Sequence, residues 1–266
     1  MNLFFFQLSA YRADIEEVDL WLVAGQSNTD GRVSLSTERP SWLPSGYLVP
    51  NTQLFNRNTG QFEDWEYLSN SGGSNNADDR WAYDSTAIYK QAITTGRTQY
   101  VIKNSLGGTS IGLNPPAGSG QWNVDYESVS RPLLKELEDR YALAIGTLAD
   151  SGKKGVLKGI LWHQGESDSN SQQNRDDYYQ NLTNVIAKVR SFTNAPDLPF
   201  IFGSIPLNSG QFSSEVNAAH FQIASEDQNA HIVDMGAGST FDGLHFDGPT
   251  SEFLGNEMAS IMEGLT

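Results

Sequence analysis

Val18-Asp19-Leu20-Trp21-Leu22-Val23-Ala24-Gly25-Gln26-Ser27-Asn28 is an almost uninterrupted apolar run that stops at a glycine and a short polar cluster. A run of this length, rich in branched and aromatic residues, predicts a central parallel strand covered on both faces. Its polar end marks where the chain leaves the core, and in open α/β sheets the carboxyl ends of the strands are where ligands bind. Gly25 permits a sharp turn there and sets Ser27 at the mouth of a crevice. Alone, the stretch does not separate a reactive serine from an ordinary polar turn, so the reading depends on what converges on Ser27.

Further strands of the same kind recur along the chain. Gln99–Asn104, Val156–Trp162, Pro199–Pro206 and Ala230–Met235 alternate with helical patterns at 81–94, 125–151, 171–190 and 216–224 and a terminal helix over 250–264. Strand, helix, strand in this rhythm predicts a doubly wound, mainly parallel, five-stranded sheet between helical layers. The long connection from about 30 to 98 must hold structure of its own. Within it Thr52–Asn56 and Gln61–Trp65 flank Arg57-Asn58-Thr59-Gly60, the pattern of a hairpin, and 69–79 reads as a polar loop. With 266 residues, 38% of them hydrophobic, one domain over 1–266 is expected, with that insertion and an extra N-terminal segment, 1–17. The apolar patch Leu3-Phe4-Phe5-Phe6 lacks a basic leader and is too short for a signal core or a membrane span, so it reads as an edge strand or docked arm.

Charge and cysteine content narrow the function. A net charge of −15, from 32 acidic against 17 basic residues, repels nucleic acid and anionic membranes. The absence of cysteine excludes disulfides, thiol catalysis and cysteine metal sites, and leaves the compartment open. The second strand runs into Gly107-Gly108-Thr109-Ser110, where backbone amides can approach a ligand, and the third into His163-Gln164-Gly165-Glu166-Ser167-Asp168, the densest polar cluster at a strand end. Asp242 and His245 share a late loop at a spacing that lets the carboxylate hold one ring nitrogen while the other faces Ser27, which is what an activated serine needs.

The blocks Gly25-Gln26-Ser27-Asn28, Gly107-Gly108-Thr109-Ser110, Trp162-His163-Gln164-Gly165-Glu166 and Asp242-Gly243-Leu244-His245 resemble, in order and over nearly the whole chain, those of the SGNH/GDSL hydrolase superfamily, in its sialate O-acetylesterase and carbohydrate esterase family six branch. The resemblance implies a three-layer α/β/α fold with a flavodoxin-like sheet and a cofactor-free and metal-free acyl transfer. Ser27 would be the nucleophile, His245 the general acid/base and Asp242 its orienting carboxylate. The oxyanion hole would be the Ser27 amide, a glycine amide at Gly108 or Gly107, and the Gln164 side chain, with Gln26, Asn28, Gly107 and Glu166 in support. Thr29 departs from the methionine of many relatives, and the stretch lacks the second glycine of an α/β-hydrolase elbow.

Two other readings stand beside it. His163, Glu166 and Asp168, with Asp242, His245 and Asp247, could ligate hard divalent ions for metal-assisted hydrolysis; a catalytically idle carbohydrate-binding domain is the third. For substrate, an acetylated saccharide is expected, with Trp122 after the glycine pair as a stacking face, and Trp65 and Trp81 as core residues or crevice walls. The acidic surface disfavours anionic ligands unless Arg32, Arg57 or Arg80 compensates. Acetylated xylan or oligosaccharide and O-acetyl sialic acid stay level on the sequence.

Overall fold

The opening apolar run forms β1 (Glu16–Gly25), buried from Val18 to its end. In the computed structural model, which describes residues 15–68 and 79–265, it is followed by the single turn α1 (Ser27–Asp30), β2 (Val33–Ser34), β3 (Leu48–Asn56), β4 (Gln61–Glu66), β5 (Arg80–Trp81) and α2 (Tyr83–Thr95). Then come β6 (Gln99–Ser105), α3 (Leu133–Asp150), β7 (Lys153–His163), α4 (Gln172–Phe192), β8 (Phe200–Gly203), α5 (Ser214–Glu226), β9 (Ala230–Val233) and α6 (Gly248–Gly264). The N-terminal arm expected at 1–10 and nearly all of the polar loop expected at 69–79 lie outside the described residues.

β1 sits at the centre because its side chains are apolar on both faces. Leu20, Leu22 and Ala24 pack into one cluster with Leu134 and Leu137 of α3, Leu182 and Val185 of α4 and Val216 of α5. Trp21 and Val23 face the other way, into a cluster with Ile88 of α2 and Leu254 and Met258 of α6. Each face of the sheet thus has its own core, the outcome of a strand whose two alternating sets are both hydrophobic.

The sheet has seven strands in the order β4-β3-β6-β1-β7-β8-β9, against the five expected. The five predicted strands form its contiguous parallel block β6-β1-β7-β8-β9, and the hairpin of the insertion extends it beyond β6: β3 runs parallel to β6 and β4 pairs antiparallel with β3. A hairpin is a local signal, whereas its joining a distant strand is not, so the sequence pattern disclosed the hairpin without its place. The helix expected from 125 begins at Leu133, because Pro132 bars its predecessor from helical geometry. Gly96 ends α2 in the left-handed conformation (φ 65°), its N–H on the Ala92 carbonyl, the helix stop that glycine favours.

Candidate active site

Gly25 ends β1 with φ +146°, and a Cβ there would collide with the His163 carbonyl and the Thr29 hydroxyl. Only glycine lets β1 turn this tightly against the end of β7. Gln26 N–H then donates to the His163 carbonyl at 3.0 Å, and the N–H groups of Thr29 and Asp30 close on the Gln26 carbonyl at 2.9 and 2.8 Å. Ser27 opens that single turn with 7% of its surface exposed. Thr29 is wholly buried, its hydroxyl donating to the His163 carbonyl at 3.1 Å and lying 3.0 Å from the Tyr83 hydroxyl, so this polar side chain is satisfied in the interior.

The loop after β6 comes up beside this turn. Leu106 N–H donates to the Gly25 carbonyl at 3.2 Å, and a Cβ on Gly107 would lie 3.3 Å from Ser27 Cβ and run into the Arg32 guanidinium. Among the described residues the N–H groups of Ser27, Gly107 and Gly108 have no protein acceptor. Unpaired amides at neighbouring strand ends are the requirement for binding a developing oxyanion.

Asp242 and His245 meet as expected. His245 Nδ1 lies 2.7 Å from Asp242 Oδ2, while Asp242 Oδ1 accepts the N–H groups of Leu244 and His245 at 3.0 and 2.8 Å. Partial burial raises the affinity of this carboxyl for protons, but the bonds from the His245 backbone and ring and from Leu244 outweigh that and hold it below its ordinary range. A carboxylate only accepts, so Nδ1 carries the proton and Nε2 is left with its lone pair free.

The loop bearing this pair is joined to the Ser27 turn by Asn28. Its Oδ1 accepts Phe246 N–H at 3.0 Å and its Nδ2 donates to Glu166 Oε1 at 2.8 Å, which also takes His163 Nε2 at 2.9 Å. Burial opposes ionisation of Glu166, but attraction to His163 and the bonds from His163, its own backbone N–H and Asn28 bring it down to about 2. Glu166 thus reaches the turn through the Asn28 side chain.

Gln164 corrects the expected oxyanion hole. It is wholly buried, and its Nε2 donates to Asp168 Oδ2 at 2.6 Å, with the Thr109 carbonyl at 3.1 Å and Gln26 Oε1 at 3.2 Å. The carboxylate fixes which end of the amide faces it, and two hydrogens among three acceptors leave none for a substrate. Trp122 is the second correction: it is fully buried, edge-on to Trp162 at 5.1 Å with its indole N–H on Thr109 Oγ1 at 3.1 Å, and offers no face to a sugar. Trp65 and Trp81 are likewise buried.

The clusters of the metal reading do not assemble. Asp168 takes Ile111 and Gly112 N–H at 3.0 and 2.7 Å, and Asp247 caps α6 through Thr250 N–H at 2.9 Å. Among the described residues no three His, Asp or Glu side chains are gathered as a metal set. The sequence reading missed two contributors. Asp168 ties the loop after β6 to the Gln164 strand end, a role hinted at by its place in the 163–168 cluster. Arg32, named only as a possible counter-charge, borders Gly107 with Nη1 on Asp30 Oδ2 at 2.8 Å and its side chain 21% exposed.

The mainly parallel sheet thus carries a serine turn at the end of its central strand and a His–Asp pair on the last loop. The family model for carbohydrate esterase, sialic acid-specific acetylesterase matches residues 17–263, and the chain belongs to that family. A probable carbohydrate esterase of Arabidopsis thaliana is 30% identical over 162 residues, 59% of this chain and 58% of that protein, so the matched part spans little more than half of that relative. The X-ray structure of a protein from Arabidopsis thaliana superposes with a TM-score of 0.68 at 18% identity, covering 92% of this chain and 98% of that one. NanS gives 0.64 at 13% identity, covering 94% and 97%, and a carbohydrate acetylesterase from Xanthomonas citri gives 0.57 at 14%, covering 91% and 55%. At these identities the three structures speak for the fold. No helix among the described residues is long and apolar enough to cross a membrane.

Proposed function

We propose that this chain is a serine esterase that removes O-acetyl groups from carbohydrates, with Ser27 as nucleophile, His245 as general acid/base and Asp242 as its orienting group. The observation that carries the reading is the 2.7 Å bond between Asp242 and His245 Nδ1 on a loop hydrogen-bonded to Asn28, the residue after Ser27.

In the first half-reaction the Ser27 hydroxyl attacks the acetyl carbonyl carbon as its proton passes to His245 Nε2. The carbonyl π electrons move to oxygen, and the Ser27 amide with a Gly107 or Gly108 amide receives that oxyanion. The C–O bond to the sugar then breaks, His245 returns the proton to the departing sugar oxygen, and acetyl-Ser27 remains. Water repeats the sequence: His245 takes its proton, the acyl bond to Ser27 breaks, and acetate leaves with the serine restored. Asp242 stays ionised throughout and stabilises the imidazolium.

Turnover of 4-nitrophenyl acetate by wild type and Ser27→Ala tests the mechanism. The alanine variant is expected to lose on the order of a millionfold in kcat, and wild-type activity is expected to survive a chelator. A Ser27→Ala enzyme with undiminished turnover refutes it; a protein inert towards every acetyl ester favours the idle binding domain. Acetate release from acetylxylan, acetylated xylose or glucose, and O-acetylated sialic acid, side by side, then identifies the sugar.

A further inference from the structure

We propose that Asn28 is a positioning residue for this reaction, whose side-chain amide holds the His245 loop in register with Ser27 and is itself set by Glu166. This rests on the serine-esterase reading above.

The 239–247 loop needs such a tie. Its other hydrogen bonds are internal or to peripheral segments: Phe241 N–H to the His245 carbonyl at 2.9 Å, Gly210 N–H to the Gly243 carbonyl at 2.7 Å, Asp247 N–H to the Ser239 carbonyl at 3.4 Å. None of these relates His245 to Ser27. The Asn28 Oδ1 to Phe246 N–H bond does, and each end is one residue from a reacting group: Asn28 follows Ser27, and Phe246 follows His245. Asn28 and Phe246 are 4% and 1% exposed, so water does not compete with this bond, while Asp242 and Gly243 lie at the surface.

The position requires an amide. One end must accept, for the Phe246 N–H, and the other must donate, for the Glu166 carboxylate. An aspartate would set two carboxylates against each other, and an apolar residue would leave the Phe246 N–H and one Glu166 contact unmet in the interior. Glu166 is in turn held by His163 at the end of β7, and the His163 ring packs 4.8 Å from the Phe246 ring, so Phe246 is gripped through both backbone and side chain. The chain of contacts from β7 through Glu166 and Asn28 makes the acid–base loop part of the sheet's rigid edge. A displacement of about 1 Å between nucleophile and base costs roughly a hundredfold in rate.

The test is a double-mutant cycle on 4-nitrophenyl acetate hydrolysis with Asn28→Ala, His245→Ala and the pair, alongside Asn28→Asp and Asn28→Asp with Glu166→Gln. Asn28→Ala is expected to lower kcat by about a hundredfold with KM changed by less than about twofold. In the His245→Ala background the same change is expected to cost less than about threefold, because there is no longer a base to misplace. Asn28→Asp is expected to fall with Asn28→Ala, and adding Glu166→Gln to restore kcat to within about tenfold of wild type, since the pair then matches a carboxylate at 28 to an amide donor at 166. A hundredfold loss that recurs undiminished without His245, an Asn28→Ala enzyme retaining more than about half its kcat, or a charge-matched pair no better than Asn28→Asp alone overturns the inference. Should Asn28→Ala fail to fold, the charge-matched pair decides alone. If Ser27→Ala and His245→Ala both turn over like wild type, the esterase reading has failed; if they collapse while Asn28→Ala does not, only the positioning role has.

Discussion

Gln164 Nε2 stands 2.6 Å from Asp168 Oδ2, and the same carboxylate receives the N–H groups of Ile111 and Gly112. The side chain whose type suggests an oxyanion donor is thereby a strut between the end of β7 and the loop carrying Gly107 and Gly108. Gln164→Ala should therefore cost about 3 kcal/mol in urea unfolding, since a buried carboxylate loses a charge-assisted bond. Activity should fall in parallel with stability. A hundredfold loss of kcat at unchanged stability would return the amide to the oxyanion hole.

The same network carries two opposing pH terms. Burial pushes the Asp168 carboxyl up to about 6 from 3.8 and the His220 imidazole down to about 3 from 6.5. Asp168 binds a proton more readily folded than unfolded, so its contribution is complete below pH 3.8 and is lost as pH rises through about 6. His220 binds one less readily when folded, so its contribution is complete above pH 6.5 and drains away towards about pH 3. Where the windows overlap the two cancel. His220 Nε2 lies 3.1 Å from the Tyr178 hydroxyl, which donates to the Gln164 carbonyl at 2.8 Å, so a glutamine at 220 can keep a donor for Tyr178. His220→Gln should gain stability relative to wild type as pH falls from 6.5 to 4, by up to about 1.4 kcal/mol per pH unit. Tm curves for the two proteins that run parallel across this range would refute the assignment.

Trp122→Ala is expected to act on folding. A fully buried indole packed on Trp162 leaves a cavity when truncated, at about 3–5 kcal/mol. Chemical denaturation should register that loss, while KM for acetylated sugars, corrected for the folded fraction, should stay at the wild-type value. A selective rise in KM for sugar esters would show that Trp122 meets substrate after all.

These residues mark where sequence and structure part. β1 and the amphipathic α4 were readable because their periodicities are local, and the place of Ser27 at the end of β1 and the pairing of Asp242 with His245 because each stands in a short polar block at a strand end or on one loop. Burial of individual side chains was not readable in the same way. Trp122 sits among prolines and glycines that read as surface, yet the loop folds its ring inward; Lys103 interrupts an apolar strand, yet it is 3% exposed because Asp84 of α2 meets its ammonium at 2.7 Å and the Trp65 ring lies 5.7 Å away. Gln164 has the right chemistry for an oxyanion donor, and only the three-dimensional position of Asp168, four residues on, reveals that the amide is already committed. The bond from Asn28 to Phe246 spans 218 residues of sequence and leaves no local trace.

Asp242→Asn isolates the orienting carboxylate. An asparagine at 242 can still accept the Leu244 and His245 N–H groups through one oxygen, so the loop should keep its shape. The atom facing His245 Nδ1 would then be an NH₂ group, and a donor there requires Nδ1 to accept. The proton moves to Nε2, and the imidazole can no longer take one from Ser27. A fall in kcat of about ten-thousandfold, with little change in KM or Tm, is the expected result. Because Asp242 is held below its ordinary 3.8, any acid loss of activity owed to this carboxyl should set in at a lower pH than for a free aspartate. Rapid-mixing assays with 4-nitrophenyl acetate should show the loss in the acylation burst, where Ser27 is first deprotonated. An Asp242→Asn enzyme with a wild-type burst would mean that His245 does not depend on this carboxylate for its tautomer.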